Sequence, residues 1–382
     1  MKFRQWDSWE HTNNMAKRVI ISGGGTGGHI FPAIAIAHAL TRIEPGIDLL
    51  FVGANGKMEM EKVPAAGYRI VGLDIQGIHR KSLLKNLALP FKLYKSMQRA
   101  RQLVRDFNPD VAVGVGGYAS GPLLYTAAKM GIPCLIQEQN SYAGITNKRL
   151  AAKAARICVA FEGMERFFPA EKIRFTGNPI RRGSVDIQDK RAEAMAAFGL
   201  NPDKKTILIT GGSLGARTLN ECLRDGLDKL VAAQVQVIWQ CGSYYYEALE
   251  PVVAAKQAEG VVLTAFLNRM DLAYAAADVI VARAGAGTIA ELCAVGKPAI
   301  LVPSPNVAED HQTKNAQALV RQDAAWMVSD ADAPQQLVDA ALTLLGDKQR
   351  YASLAENIAK LAILDADEVI AHEVLALAGE RK

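Results

Sequence analysis

Ser22-Gly23-Gly24-Gly25-Thr26-Gly27-Gly28-His29 follows the apolar run Val19-Ile20-Ile21 and precedes Ile30-Phe31-Pro32-Ala33-Ile34-Ala35-Ile36-Ala37. This reads as strand, glycine loop and helix. Such a junction leaves backbone N–H groups unpaired at the helix start, with the positive end of the helix dipole behind them. Glycines let an anion approach the backbone, so the natural ligand is a phosphate or diphosphate. A second unit lies half a chain later: Thr206-Ile207-Leu208-Ile209-Thr210, then Gly211-Gly212-Ser213-Leu214-Gly215, then a helical pattern from Ala216. Two such units predict two similar domains.

Strand patterns fill the space around both. The first half carries them at Val19–Ile21, Asp48–Gly53, Tyr68–Val71, Asp110–Val115, Ile132–Ile136, Arg156–Phe161 and Lys172–Thr176. The second carries them at Thr206–Thr210, Val235–Gln240, Val261–Phe266, Asp278–Ala282, Ala299–Val302 and Ala325–Val328. Strands alternating with helical patterns predict α/β architecture with doubly wound parallel sheets, whose ligands bind beyond the carboxyl ends of the strands. Gly177-Asn178-Pro179-Ile180-Arg181 reads as the hinge.

The chain has 382 residues, half of them hydrophobic, enough for two α/β domains with proper cores. Its five cysteines are scattered without C-x-x-C spacing, which argues for a reducing compartment and against a disulfide frame or a zinc site. Residues 1–16 are polar and lack the apolar core of a signal peptide; we expect a disordered leader or an alternative start. No apolar stretch is long enough to span a membrane. The net charge of +5 is unevenly spread: Lys and Arg outnumber Asp and Glu 24 to 13 up to Ile180, and fall short of them 20 to 26 beyond it. The first half thus suits an anionic surface or substrate.

Gly23-x-Gly25-x-x-Gly28 formally fits the dinucleotide fingerprint, but that fingerprint also needs an acid at the end of the second strand. Here that end reads Val52-Gly53-Ala54-Asn55, so a nicotinamide or flavin oxidoreductase is disfavoured and no cofactor is expected. His29, at the start of the first helix, is either a capping residue or a base. The helix terminus keeps it neutral, as accepting a hydroxyl proton requires. Tyr118, Glu138 and Asn140 each follow a strand; Glu138 is a second base candidate or a buried carboxylate that orients a loop. Arg283-Ala284-Gly285-Ala286-Gly287-Thr288-Ile289-Ala290-Glu291 is a third strand–glycine–helix junction suited to phosphate. Its Glu291 either binds ribose hydroxyls or complements the helix dipole. Asp330-x-Asp332 and Asp365-x-Asp367 lie away from the glycine loops, so no metal is predicted. The basic, apolar stretch from His79 to Arg105 includes Leu83, Leu84, Lys85, Phe91, Lys92 and Lys95. It suits docking on an anionic bilayer better than a solvated face, and no nucleic-acid-binding module appears.

Six motifs in order resemble the MurG family of peptidoglycan glycosyltransferases, from about Arg18 to the C-terminus. They are Gly24–His29 with Pro32; Gly114–Pro122; Glu138-Gln139-Asn140 with Ala143-Gly144-x-Thr146-Asn147-Lys148; Gly177–Arg181; Gly211–Arg217; and Ala308-Glu309-Asp310-His311-Gln312-x-Lys314-Asn315-Ala316. The resemblance implies a GT-B fold, two Rossmann-like domains facing a cleft. Its divisions would be an N-terminal acceptor and membrane-docking domain over 17–180, a C-terminal donor domain over 181–364, and a last helix over 365–382 that returns to the first domain. It implies inverting, metal-independent transfer of N-acetylglucosamine (GlcNAc) from UDP-GlcNAc to the muramyl 4-hydroxyl of lipid I (undecaprenyl-pyrophosphoryl-MurNAc-pentapeptide). The place implied is the cytoplasmic face of the inner membrane.

By the same analogy, Ser213 contacts the donor diphosphate, Arg283, Thr288 and Glu291 the uridine side, Leu267 the uracil and Gln312 the sugar. Asn140, Arg181 and the Thr26-Gly27-Gly28 loop close on the donor, while Gly24, Gly25, Gly116, Gly117 and Tyr118 receive the lipid pyrophosphate. Where some relatives carry two adjacent glutamines this chain has His311-Gln312, so only the second role carries over. The rival readings are another GT-B enzyme, such as a glycolipid glucosyltransferase or a UDP-GlcNAc 2-epimerase, and a non-catalytic subunit that binds nucleotide sugar.

Overall fold

The computed structural model describes residues 16–75, 89–254 and 260–380. The leader and Leu83, Leu84 and Lys85 lie outside the described residues. Seven parallel strands form the first sheet: β1 (Arg18–Gly23), β2 (Asp48–Ala54), β3 (Arg69–Leu73), β4 (Val111–Gly116), β5 (Cys134–Glu138), β6 (Arg156–Val159) and β7 (Ile173–Phe175), in the order β3-β2-β1-β4-β5-β6-β7. Six form the second: β8 (Thr206–Thr210), β9 (Gln236–Gln240), β10 (Val261–Thr264), β11 (Val279–Ala282), β12 (Ala299–Leu301) and β13 (Trp326–Met327), in the order β10-β9-β8-β11-β12-β13. Every strand expected from the sequence is present, the last trimmed to two residues.

The helices of the first half are α1 (Gly27–Ile43), α2 (Glu59–Ala65), α3 (Leu89–Phe107), α4 (Ser120–Lys129) and α5 (Ile145–Leu150). Those of the second are α6 (Arg182–Val185), α7 (Arg191–Phe198), α8 (Arg217–Ala232), α9 (Ser243–Ala254), α10 (Met270–Ala276), α11 (Ala286–Val295), α12 (His311–Val320), α13 (Ala333–Gly346), α14 (Lys348–Lys360) and α15 (Ala366–Glu380). No described helix is long and apolar enough to cross a membrane.

The strands read as unbroken Val/Ile/Leu runs because helices cover both faces of each sheet. In β8 the alternation of side chains is explicit. Leu208 packs on one face with Ile238 and Ile280, while Ile207 and Ile209 pack on the other with Val237, Trp239 and Val281. α8 closes that second face with Leu219, Leu223, Leu227 and Leu230, a stripe at helical spacing. All five cysteines are buried, free thiols.

By contacts the chain divides into two compact units. The first holds the chain up to Gln137, Thr146–Ile157 and Glu368–Lys382; the second holds Glu138–Ile145 and Cys158–Asp367. The division therefore falls earlier than a boundary at residue 180. The loop containing Glu138 and Asn140 groups with the second half, because Asn315 of α12 ties it there: Ser141 N donates to Asn315 Oδ1 at 2.9 Å, and Asn315 Nδ2 donates to Asn140 Oδ1 at 3.1 Å. Most of α15 groups with the first unit, where Glu368 pairs with Arg42 at 2.8 Å and Glu373 with Arg156 at 3.3 Å.

Candidate functional site

In each sheet the direction of winding reverses once, between β1 and β4 and between β8 and β11. A crevice for a ligand opens beyond the carboxyl ends of the strands at such a switch point. The glycine loops picked out in the sequence fall on these two places: Gly23–Gly28 and Gly116–Tyr118 on the first, Gly211–Gly215 and Arg283–Gly287 on the second.

At the first switch point the loops interlock. Gly24 N donates to Gly116 O at 3.3 Å. Gly117, at φ +89°, comes so close that a Cβ there would lie 2.2 Å from Gly24 O. Gly116, at φ +100°, makes room for the imidazole of His29: a Cβ would sit 2.5 Å from its Cδ2 and 2.7 Å from its Nε2. Thr26 is the extended residue before α1, and its Oγ1 lies 3.1 Å from His29 Nδ1. The ring is thus held on one edge by Thr26 while its other edge lies on the second glycine loop. Tyr118 stands half-exposed beside Gly25.

Beneath these loops lies a residue the sequence reading passed over. Glu59, 0% exposed, accepts from Gly25 N at 2.9 Å and from Ala54 N at 3.0 Å. A Cβ at Gly24 or Gly53 would run into it, at 2.2 and 2.6 Å. The only signal was an acid soon after the second strand, in Met58-Glu59-Met60. Glu59 bears on the expectation for Gly24 and Gly25. Their amides already have acceptors, in Gly116 and Glu59, which disfavours the pyrophosphate contact expected of them. The amides at the start of α1, Gly27 and Gly28, have no helical carbonyl ahead of them and remain suited to an anion.

The second base candidate is likewise engaged. Glu138 is buried; its Oε1 accepts from Asn140 N and Nδ2 at 3.1 and 3.3 Å, and its Oε2 from Gly144 N at 3.0 Å. With three N–H donors on its two oxygens, the carboxylate matches the reading in which it orients its loop. Asn140 is presented by that loop, and the hinge residue Asn178 is buried with its Nδ2 donating to Gln139 O at 2.9 Å.

At the second switch point the loop after β8 is exposed at Ser213 and Leu214. It turns through Gly212 and Gly215, at φ +81° and +74°, and a Cβ at Gly215 would fall 1.8 Å from Cys241 O. Beneath it lies a neutral pair. Thr210 Oγ1 donates to Gln240 Oε1 at 2.7 Å, and Gln240 Nε2 donates to Gly212 O at 3.0 Å.

Arg283, expected on the uridine side of the donor, has its Nη1 engaged within the protein. Its side chain is 12% exposed, pairs with Asp330, and donates to Val302 O at 3.0 Å and Pro303 O at 3.2 Å. It fastens the ends of β11 and β12, and Asp330 also accepts from Thr218 at 3.1 Å. Gly285 opens α11, with Thr288 in its first turn. Glu291 follows, accepting from the Tyr274 hydroxyl at 3.0 Å with Arg181 Nη2 3.8 Å away. Burial raises its pKa, while Arg181 and the Tyr274 hydrogen bond pull the other way. Leu267 is buried just after β10 beside an exposed Phe266. Gln312 lies at the start of α12, its Oε1 accepting from Ser304 N at 2.8 Å. Its neighbour His311 is held toward the neutral form by burial. Among the described residues no group of three or more His, Cys, Asp and Glu could hold a metal ion.

On α3, Phe91 and Tyr94 are each 61% exposed, with Lys95 Nζ 4.5 Å over the Phe91 ring and Lys92 3.8 Å from Asp74.

Comparison with known proteins matches this arrangement along its length. The glycosyltransferase family 28 N-terminal domain matches residues 19–159 and its C-terminal domain residues 206–370. The chain belongs to glycosyltransferase family 28, in its MurG branch. A Parabacteroides distasonis protein named UDP-N-acetylglucosamine--N-acetylmuramyl-(pentapeptide) pyrophosphoryl-undecaprenol N-acetylglucosamine transferase is 56% identical, over 94% of this chain and 98% of that protein. A protein of the same name from Flavobacterium psychrophilum is 49% identical, over 96% and 99%. The crystal structure of Acinetobacter baumannii MurG superposes with a TM-score of 0.77 at 31% identity, over 94% of this chain and 99% of that one. The two Rossmann-like sheets are thus those of a GT-B enzyme. A UDP-N-acetylglucosamine 2-epimerase structure, 16% identical at a TM-score of 0.62, shares the fold alone. This MurG-family chain carries glycine loops at both switch points, together with the braces, Glu59 and the Thr210–Gln240 pair, that hold them.

Proposed function

We propose that the protein transfers N-acetylglucosamine from UDP-GlcNAc to the 4-hydroxyl of the muramyl sugar of lipid I, with inversion at the anomeric carbon, to give lipid II for peptidoglycan and cell-wall synthesis. The observation that carries this reading is the match at 56% identity, over nearly the whole of both chains, to a protein whose name states the reaction. Its place is the cytoplasmic face of the bacterial inner membrane, held peripherally. The net positive first half and the exposed Phe91, Tyr94 and Lys95 of α3 support that placement.

Transfer needs a base at the acceptor hydroxyl and stabilisation of charge on the departing UDP. His29 is the base: its imidazole is oriented by Thr26 and seated on Gly116, at a helix start that favours the neutral ring. The Gly27 and Gly28 amides and the Gly116–Tyr118 loop receive the lipid diphosphate. In the second unit the exposed Ser213 loop and the start of α8 receive the donor diphosphate. Leu267, Thr288, Glu291 and Arg181 take the uridine, and Gln312, with Asn140, the sugar. Arg283 acts from behind by holding the loop ends.

The test is UDP release from UDP-GlcNAc with and without a lipid I analogue, in EDTA. We expect release that depends on the acceptor and survives EDTA. His29→Ala should lower the rate about 10²–10⁴-fold with UDP-GlcNAc binding retained. Conversion of UDP-GlcNAc without acceptor would overturn the transferase reading in favour of an epimerase.

A further inference from the structure

We propose that Tyr274 is a positioning residue for the donor's ribose: it fixes the Glu291 carboxylate, and through it the enzyme distinguishes a ribose from a deoxyribose nucleotide. The inference rests on the donor-site reading above. Tyr274 lies on α10, 1% exposed, and a buried tyrosine hydroxyl requires a polar partner. That partner is Glu291 Oε2, at 3.0 Å. The other oxygen, Oε1, faces Arg181 Nη2 at 3.8 Å. A glutamate on the second turn of a helix has three side-chain torsions to fix. Tethered at both oxygens from different elements, it keeps one orientation.

The anchor is itself anchored. Lys297 Nζ donates to the carbonyls of Tyr274 and Ala275, at 2.6 and 2.9 Å, and to that of Ala277 at 2.5 Å, capping the end of α10. The backbone that carries the tyrosine is therefore held as firmly as its hydroxyl. A carboxylate fixed in this way has lone pairs left to accept from a pair of adjacent hydroxyls. A nucleotide that lacks one of them leaves a buried acceptor unsatisfied, which is how a polar site rejects a deoxy analogue.

The experiment measures kcat and KM for UDP-GlcNAc and for its 2′-deoxyuridine analogue, in wild type, Tyr274→Phe, Glu291→Gln and the double variant. Tyr274→Phe removes one oxygen. It should raise KM for UDP-GlcNAc about tenfold with kcat within about twofold, and shrink the preference for the ribose donor. In a Glu291→Gln background, adding Tyr274→Phe should change nothing further. An unchanged preference in Tyr274→Phe, alongside a lost one in Glu291→Gln, would overturn the role of Tyr274 and spare that of Glu291. An unchanged preference in Glu291→Gln would instead overturn the ribose assignment, and the donor-site reading with it. Should Tyr274→Phe fail to fold, Tyr274→Gln, which keeps an N–H donor on the same side, and Tyr274→Met, which has none, are compared: the first should keep more of the ribose preference, and equal preferences would overturn the role of Tyr274.

Discussion

The two glycine loops that follow β1 and β8 have the same backbone plan and opposite undersides. Both leave a central strand at a switch point and lead into a helix. The first rests on a buried acid, Glu59, which takes the Gly25 amide. The second rests on Thr210 and Gln240, both neutral, which hold Gly212 through its carbonyl and its amide. A dianion bound above a buried carboxylate is repelled by it, whereas one above an amide pair is not. In the proposed reading the first loop therefore serves less as an anion cradle than as a rigid floor for His29, with the anion contacts moved forward to the start of α1. The second is free to do what glycine loops are usually credited with, and in the reading proposed above this is the loop at which the donor diphosphate departs. A shared motif fixes where a ligand sits, and the group beneath the motif decides which charge it tolerates.

The largest expected effect comes from removing the brace of the first loop. Glu59→Ala leaves the Gly25 and Ala54 amides without their acceptor, the second of them buried, together with a cavity. We expect a loss of about 2–4 kcal/mol in stability, read by chemical denaturation, and a fall in kcat larger than any change in donor KM. Gly24→Ala, whose Cβ would strike Glu59 Oε1, should cost as much in the wild type and markedly less in Glu59→Ala. Additive costs would show that the two do not share one space, and the contrast between the loops would fail. The matching change on the other side is Gly215→Ala. Its obstruction is the backbone carbonyl of Cys241, and φ is +74°, so no side chain can give way. About 2–3 kcal/mol should be lost here in any background.

A smaller effect sharpens the electrostatic half of the comparison. Gln240→Glu places an acid beneath the second loop, in imitation of Glu59. Affinity for UDP should fall about tenfold by calorimetry while that for uridine, which has no phosphate, changes little. Equal losses for both ligands would mean that the variant only disorders the loop.

These contrasts also mark how far the sequence could be read. Continuous apolar runs gave every strand, because parallel strands covered on both faces leave no other pattern, whereas the switch points came only with the strand order. Position at a strand end was legible too, and so Glu138, Arg283 and Glu291 were all drawn to the site. What the sequence did not contain was the direction in which each side chain turns. Glu138 turns in toward Gly144, Arg283 turns in toward Asp330, and Glu291 remains beside Arg181. Glu59 was overlooked for the same reason. Its burial depends on Gly24 and Gly53 lacking a Cβ, a fact spread over three separate stretches of chain. The grouping of the Glu138–Ser141 loop with the second unit was not legible, because one side chain, Asn315, holds that loop to α12 and no local pattern announces the tie.

The second unit has a buried charged brace of its own, of the opposite sign, and it should give the smallest effect. Lys297 caps the end of α10 with its ammonium among carbonyls. Burial, with Arg191 adding to it and Asp278 opposing, pushes its pKa down from the ordinary lysine range to about 8. The unfolded chain holds that proton until about pH 10.5. Below pH 8 the ammonium is charged in both states and the cost of burying it is fully present. Between about 8 and 10.5 the native state has shed a proton that the unfolded state keeps, so this group's contribution to stability rises with pH across that window. From pH 7 to 9 the gain is about 1 kcal/mol. Lys297→Met should abolish it, seen as the difference between wild type and variant in denaturation midpoints across that range. A difference that stays flat with pH would mean the ammonium remains charged there, held by its three carbonyls. In that case α10, and with it Tyr274, rests on a charge that persists through this pH range.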